Sequence, residues 1–426
     1  MELRGKFGTA QVFTDEIESE AISQIINILN QPWSKDSNMR IMPDVHVGSG
    51  CVVGYTAKLT DKVVPNLISV DIGCGVLAYH LGHKSIIGEK FDKLDKFIRS
   101  NIPAGAGTND FPDEEELEET FKSFYKFDSI RHFKDYRESL TEIASRMQLE
   151  KKYILCSIGS LGGGNHFIEI DETEHGELYL VIHTGSRGFG KGVAEFHQRV
   201  ARHATLLVPQ ETFDAELERI KKVKKGKGVQ VAIDAYRKEV TIKLPHDLEY
   251  LSGETAEAYY ADMKIAQVYA MLNRRVMVKR IVEGFYRQKY DEKMSIESVH
   301  NYINFEDGIV RKGAISAHEG EVVIIPLNMA KGCVLGIGKG NEEFNNSGPH
   351  GAGRKMSRAK AKSTIDLKDY QFKMKQAGVW STSVNKETID ESPQAYKNVD
   401  KIIELLEPTV EVVSRMKSIY NFKAGE

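Results

Sequence analysis

The spacing of apolar residues changes character along the chain. Between residues 14 and 31, Ile17, Ile22, Ile25, Ile26 and Leu29 recur at near-helical intervals, which predicts an amphipathic helix. Residues 42–80 break into short β-rich runs, CVVGYTA, VVPNLISV and GVLAYHL, separated by Gly, Pro and Asp turn signals, and predict strands. Residues 112–148 are long, charged and helical in pattern, with the acidic run DEEELEE as a solvated first turn. YILCSIGS and ELYLVIHTG predict strands, and a helix follows near 190–206. The basic stretch RIKKVKKGKG at 219–228 predicts a solvated loop. A long helix is predicted over 253–286, a β- and glycine-rich region over 300–353, and a largely helical end that includes 393–417.

No internal repeat, low-complexity tract or Pro/Ser linker divides the chain. Residues with chemical potential are spread over Gly-rich loops from position 44 to 354, so the expectation is one domain, 1–426, whose site is assembled from distant segments. Across 426 residues, 41% are hydrophobic and 28% charged, which supplies a core and excludes a disordered chain, a collagen-like fibre or a disulfide-stapled miniprotein. Lys plus Arg minus Asp plus Glu is 58 − 61 = −3, so contact with nucleic acid must come from a local patch rather than a general basic coat. Cys51, Cys74, Cys156 and Cys333 form no CxxC pair, which suggests reduced thiols. The opening MELRGKFGTAQVF has no apolar stretch of the signal-peptide kind and no segment reads as a membrane span, so the expectation is a cytoplasmic protein.

Histidine and cysteine change the picture most. Asp44 and His46 lie in MPDVHVGSG, Asp71 and Cys74 in SVDIGCG, and Asn165, His166 and Glu169 in GSLGGGNHFIEI. His183 ends the strand-like run before TGSRGFG, His300 lies in ESVHNYIN and His350 in NSGPHGAGR. Each sits at a strand end or in a glycine turn, where a side chain can reach a cleft. Asp71 and Cys74, three apart in a tight turn, could face one centre with His166, His183 and His300, and a thiolate has lone pairs enough to bridge two ions. Taken singly, each histidine reads equally as a hydrogen-bonded structural residue and Cys74 as a small buried hydrophobe, so pattern alone leaves both readings open.

GSRGFGKG (Gly185 to Gly192) nearly matches a P-loop, but Gly192 stands where the magnesium-binding hydroxyl is required, and no Walker-B-like strand is evident. Arg187 in this loop could still bind a phosphate. In GPHGAGRKMSR, small residues flank His350 so that a phosphate electrophile could approach its ring, and Arg354 and Arg358 would share a helix face. A glycine turn with a surface histidine fits the same pattern.

The ordered set MPDVHVGSG, DIGCG, GGGNHFIE, HTGSRG, LEYLSG…YYADMKIAQVYAMLNR, VHN, HGAGRKMSR and the closing Lys-Ala-Gly closely resembles the RNA-splicing ligase RtcB family, from about residue 40 onward. The resemblance implies an α+β fold, one large domain with mixed sheets around a metal-containing cleft and helices outside. It implies a GTP- and Mn2+-dependent ligase that joins RNA 3′-phosphate or 2′,3′-cyclic phosphate ends to 5′-hydroxyl ends in RNA repair or tRNA splicing. One of two Mn2+ ions would sit on Cys74, His166 and His183 and the other on Asp71, Cys74 and His300. His350 matches the residue that takes GMP from GTP. Nucleotide contacts fall on Asn165, His166, Phe167, Ile168, Glu169, His300, Asn301, Pro326, Leu327, Asn328, Met329, Cys333, His350, Gly351, Ala352, Gly353, Tyr396 and Lys423. Arg187, Arg354 and Arg358 match positions suited to RNA phosphates. An archease-type activator is a further partner the resemblance allows, and no membrane is involved. The family's nucleotide loop commonly reads Pro-Gly-Ser-Met-Gly with a later Ser; here it is Pro326-Leu327-Asn328-Met329-Ala330 with Cys333, which marks a divergent branch. Two alternatives use the same residues: a two-metal phosphodiesterase or phosphatase acting on RNA ends, and a non-enzymatic RNA-binding protein with a structural metal.

Overall fold

The computed structural model describes residues 1–88, 90–125, 132–204, 208–240, 244–245 and 247–425. At its centre five antiparallel strands pair in the order Ser295–Val299, Gly75–His83, Glu177–Thr184, Phe167–Glu172, Lys417–Phe422. Successive side chains of a strand point to opposite faces, and the sequence is apolar on both. Leu77, Tyr79, Leu81, Ile168, Ile170, Leu180 and Ile182 pack with Met277, Val278 and Ile281 of a long helix. The intervening residues Val76, Ala78, Phe167 and Val181 pack with Ile324 and Cys333 of a three-stranded sheet, Val322–Asn328, Gly332–Gly338, Val410–Arg415. A six-stranded sheet holds Glu2–Arg4, Thr9–Val12, Met39–His46, Val53–Lys58, Ile309–Lys312 and Asn301–Asn304 in that order. The fold is mixed α+β, with the site cleft bounded by all three sheets.

The long helix, Glu254–Gly284, has 31 residues and runs about 46 Å. Every position from Leu272 to Val278 is buried, so this stretch is enclosed on all sides by the central sheet, the helix Arg187–Ala204 and neighbouring helices. No helix among the described residues is long and apolar enough to cross a membrane.

Most predicted elements are present. The first helix occupies Ser19–Leu29. The 112–148 stretch forms Glu114–Phe124, capped by Asp113 with the acidic run in its first turn, and Phe133–Arg146; residues 126–131 lie outside the described residues. The helix expected near 190–206 begins earlier, at Arg187, and residues 205–206 lie outside the described residues. Four expectations fail. VVPNLISV is not a strand: only Lys62–Val63 pairs, and Pro65–Leu67 turns as a 3-10 helix, because proline has no N–H to give a ladder and suits a helical first turn. YILCSIGS is not a strand: Lys151–Cys156 is a short helix, an ambiguity inherent in short apolar runs. The basic stretch is not a loop but the end of the helix Gln210–Val223, a short turn and the start of Lys227–Val240. The 393–417 stretch is helical only over Pro393–Ala395 and Val399–Glu404, after which the β-branched run VEVVSR forms a strand.

Candidate active site

Strand order explains why residues so far apart in sequence meet. Gly75 pairs with Thr184 on one side and with Val299 on the other, in antiparallel register. Cys74, at the start of one strand, therefore lies beside His183 and His300, at the ends of its two neighbours, and His166 precedes the next strand across. Asp71 enters through the turn before Cys74. Gly73 in that turn has φ +74°, and a Cβ there would press on Ala270 Cβ at 3.0 Å. A Cβ at Gly185 would collide with the Asp71 carboxylate, so the glycine of HTGSRG makes room for it.

Cys74 Sγ is 3.3 Å from His183 Nε2 and 3.6 Å from His166 Nε2. His183 Nε2 and His300 Nε2 are 3.3 Å apart, and His166 Nε2 lies 3.1 Å from Asp71 Oδ2. Ligands about 2.1–2.3 Å from a tetrahedral ion stand about 3.3–3.8 Å from one another, so these separations suit donors sharing ions. They fall into two groups joined by the thiol: Asp71, Cys74, His166 and Cys74, His183, His300. The division implied by the resemblance sets His166 with His183 and Asp71 with His300; in this geometry the Asp71 carboxylate lies nearest His166, and both His166 and His183 reach the Cys74 sulfur.

The donors are set for coordination. His166 Nδ1–H donates to Leu161 O (2.9 Å) and His183 Nδ1–H to Asn165 O (3.3 Å), leaving each Nε2 lone pair free. His300 Nδ1 is buried without a hydrogen-bond partner among the described residues. Burial, reinforced by His300 beside His183 and by His350 beside His300, holds both imidazoles well below their ordinary pKa. Burial pushes Asp71 up, but the His166 ring outweighs it and brings the carboxylate to about 2. Burial and Asp71 push the Cys74 thiol well up.

The long helix braces this centre from behind. Arg274 Nη1 donates to Gly73 O (2.8 Å) and Thr184 O (2.7 Å), the residues next to Cys74 and His183, while its Nε holds Glu297. Asn273 accepts from the N–H groups of Gly159 and Ser160 and donates to Gly185 O.

Beside the donors opens a cleft of about 720 Å³. Its walls include Asn165, Phe167, Glu169, Asn301, the Pro326–Met329 segment, the His350–Gly353 turn, Tyr396 and Lys423. The His350 ring lies tilted against that of His300, with centroids 4.9 Å apart. Its Nδ1–H donates to Asp44 Oδ2 at 2.6 Å and its backbone N–H to the same oxygen at 3.1 Å. Asp44 is fully buried, so His350 is fixed with Nε2 as its free nitrogen. A second buried carboxylate organises the far wall: Glu391 accepts from Lys423 Nζ (3.1 Å), Arg354 (3.1 Å), Arg358 (2.7 Å) and the Tyr396 hydroxyl (2.6 Å).

Several expected contacts sit elsewhere than on the wall. Ile168 points into the core under the sheet, and Cys333 lies behind Glu169 with Sγ 3.4 Å from Oε1. Arg187 donates to Ser160 Oγ and Gly105 O. Arg354 precedes the helix Arg358–Thr364, so the two arginines share Glu391 rather than a helix face. In the P-loop-like run, Gly190 and Gly192 clear Ser186 and Leu149 within a helix, and Lys191 pairs with Glu195 on the surface, so no phosphate cradle forms. Sequence reasoning noted Asp44 without giving it a role, although a carboxylate inside an apolar strand was a signal. It missed Arg274, whose signal is a pair of arginines in the apolar run MLNRRVMV, and Glu391, for which pattern offered none.

The comparisons agree with the geometry. The family profile described as tRNA-splicing ligase RtcB matches residues 24–424. The RNA-splicing ligase RtcB1 of Escherichia coli is 28% identical, the alignment covering 95% of this chain and 94% of that protein. The tRNA-splicing ligase RtcB of Methanococcus maripaludis is 26% identical over 95% of this chain and 91% of its own. With the profile spanning nearly its whole length, this chain belongs to the RtcB family.

Proposed function

We propose that the chain is an RNA ligase that joins 3′-phosphate or 2′,3′-cyclic phosphate ends to 5′-hydroxyl ends, using GTP and two Mn2+ ions through a GMP–His350 intermediate. The observation that carries this reading is His350: a ring pinned at Nδ1 by a buried carboxylate, facing a nucleotide-sized cleft beside a five-donor centre. Asp71, Cys74, His166, His183 and His300 would hold the two ions, with the Cys74 thiolate shared between them. Bound there, divalent ions would neutralise phosphate charge and orient the α-phosphorus.

His350 acts through its Nε2 lone pair, which attacks the α-phosphorus of GTP as pyrophosphate leaves. Asp44 holds the Nδ1 proton and stabilises the charge that the ring acquires. The RNA 3′-phosphate then displaces the imidazole and takes GMP, and the 5′-hydroxyl attacks that activated phosphate as GMP departs. A cyclic phosphate is opened by water first. Lys423, held by Asn165 O and Glu391, and Phe167 beneath it present a cationic and aromatic wall to the nucleotide. Arg358, whose side chain is 34% exposed, is placed to meet RNA phosphates at the mouth. On this reading the whole chain, 1–426, is one catalytic domain working in the cytoplasm on broken or spliced RNA.

The test is a labelling experiment. Protein incubated with Mn2+ and α-labelled GTP should keep label that acid releases and mild alkali does not, because a protonated imidazole leaves readily. His350→Ala should lose the label and keep its metal. No label with full metal occupancy favours the phosphodiesterase.

A further inference from the structure

Behind the cleft wall, on the face of the central sheet turned to the three-stranded sheet, a second donor group lies apart from the histidine centre. Glu169 and Asp171 stand two apart on one strand, hence on one face, and Cys333 comes from the opposing strand Gly332–Gly338. All three are buried, and their donor atoms lie within 4.8 Å of one another. Glu169 Oε2 is satisfied by Asn421 Nδ2 at 2.7 Å and Ser418 Oγ at 3.4 Å, and its Oε1 faces the Cys333 sulfur.

Asp171 is the telling residue. It is 0% exposed, and among the described residues neither of its oxygens has a hydrogen-bond partner; the Cys333 thiol and N–H and the Ser418 hydroxyl stand near it outside hydrogen-bond geometry. Buried carboxyl groups are normally paired, hydrogen-bonded or metal-bound. Lys423 does not meet this need: its ammonium is committed to Asn165 O and Glu391. Burial raises the carboxyl of Glu169 to about 7; burial and the neighbouring Glu169 push Asp171 well up, and burial with both carboxylates does the same to the Cys333 thiol.

We propose that Glu169, Asp171 and Cys333 bind a divalent cation of the zinc class, separate from the centre at Cys74. One thiolate with two carboxylates suits zinc better than magnesium or calcium, which take oxygen alone. Binding would release the thiol proton, and any proton on the carboxyls, to solvent. The ion would clamp the two sheets together and tie down one oxygen of Glu169, a residue that also lines the cleft.

Cobalt gives a direct readout, because thiolate-bound Co2+ absorbs in the near ultraviolet. In full-length Cys74→Ala loaded with Co2+, the band should persist with one equivalent of tightly bound ion, and Zn2+ should abolish it by displacement. Adding Cys333→Ser should remove both band and ion. In the otherwise native chain, Cys333→Ser and Asp171→Asn should each lose one equivalent of zinc while the Cys74 centre still fills, which covers the case in which Cys74→Ala does not fold. A Cys74→Ala protein that folds but shows no thiolate–cobalt band overturns the proposal. So does full zinc content in Cys333→Ser.

Discussion

On the proposed reading, Asp44 decides which nitrogen of His350 reacts. As a carboxylate it only accepts, so the ring proton must sit on Nδ1 and the lone pair on Nε2. In Asp44→Asn an amide N–H turned to the ring would favour the opposite tautomer, and GMP labelling should slow by about 100-fold or more with metal content unchanged. Cys74 makes a different prediction. Burial and Asp71 favour its neutral thiol, so an ion that needs the thiolate must displace a proton. Mn2+ affinity, followed by titration between about pH 6 and pH 8, should rise by about tenfold per pH unit for each proton released. Glu391 works in the acid range. Burial pushes its carboxyl up, but Lys423, Arg358 and Arg354 outweigh burial and hold it far below the ordinary 4.5. A depressed carboxylate contributes stability above its unfolded value and loses it as the pH falls. Glu391→Gln should therefore cost about 3–5 kcal/mol at neutral pH in denaturant unfolding, and the gap to the native chain should narrow below about pH 4.

At the scale of elements, the long helix ties packing to chemistry. Arg274→Met should keep the helix but free Gly73 O and Thr184 O, lowering metal affinity by about 10- to 100-fold in direct titration. Periodicity revealed this helix almost to its ends, because 31 residues of continuous helical pattern leave few alternatives. It could not reveal the brace: within an amphipathic reading, Asn273 and Arg274 belong on a wet face, and only the surrounding fold buries them. The donors were legible for the opposite reason. Asp71, Cys74, His166, His183 and His300 sit at strand ends or in glycine turns, a local feature that needs no tertiary knowledge. How closely each approaches Cys74 was not legible, since it depends on which strands are neighbours. The short run YILCSIGS misled because eight residues carry too few periods to separate helix from strand, and VEVVSR because a charged residue between valines fits either pattern.

On the scale of the whole molecule, the centre joins segments from residue 71 to residue 300 and, through His350 and Asp44, reaches a second sheet. An ion bound there stabilises the native fold relative to the open chain. At about 100 times its Kd, Mn2+ should raise the melting temperature by about 2–4 °C, and Cys74→Ala should abolish the shift. The donors open onto the same cleft as the proposed nucleotide wall, and on the proposed reading this shared doorway sets an order of loading. Ions would enter before the nucleotide, which would then stand between them and bulk water. Pre-mixed nucleotide should delay metal uptake, and a seated nucleotide should retard stripping by a chelator, so that each turnover begins with a loaded centre and ends before the ions can escape.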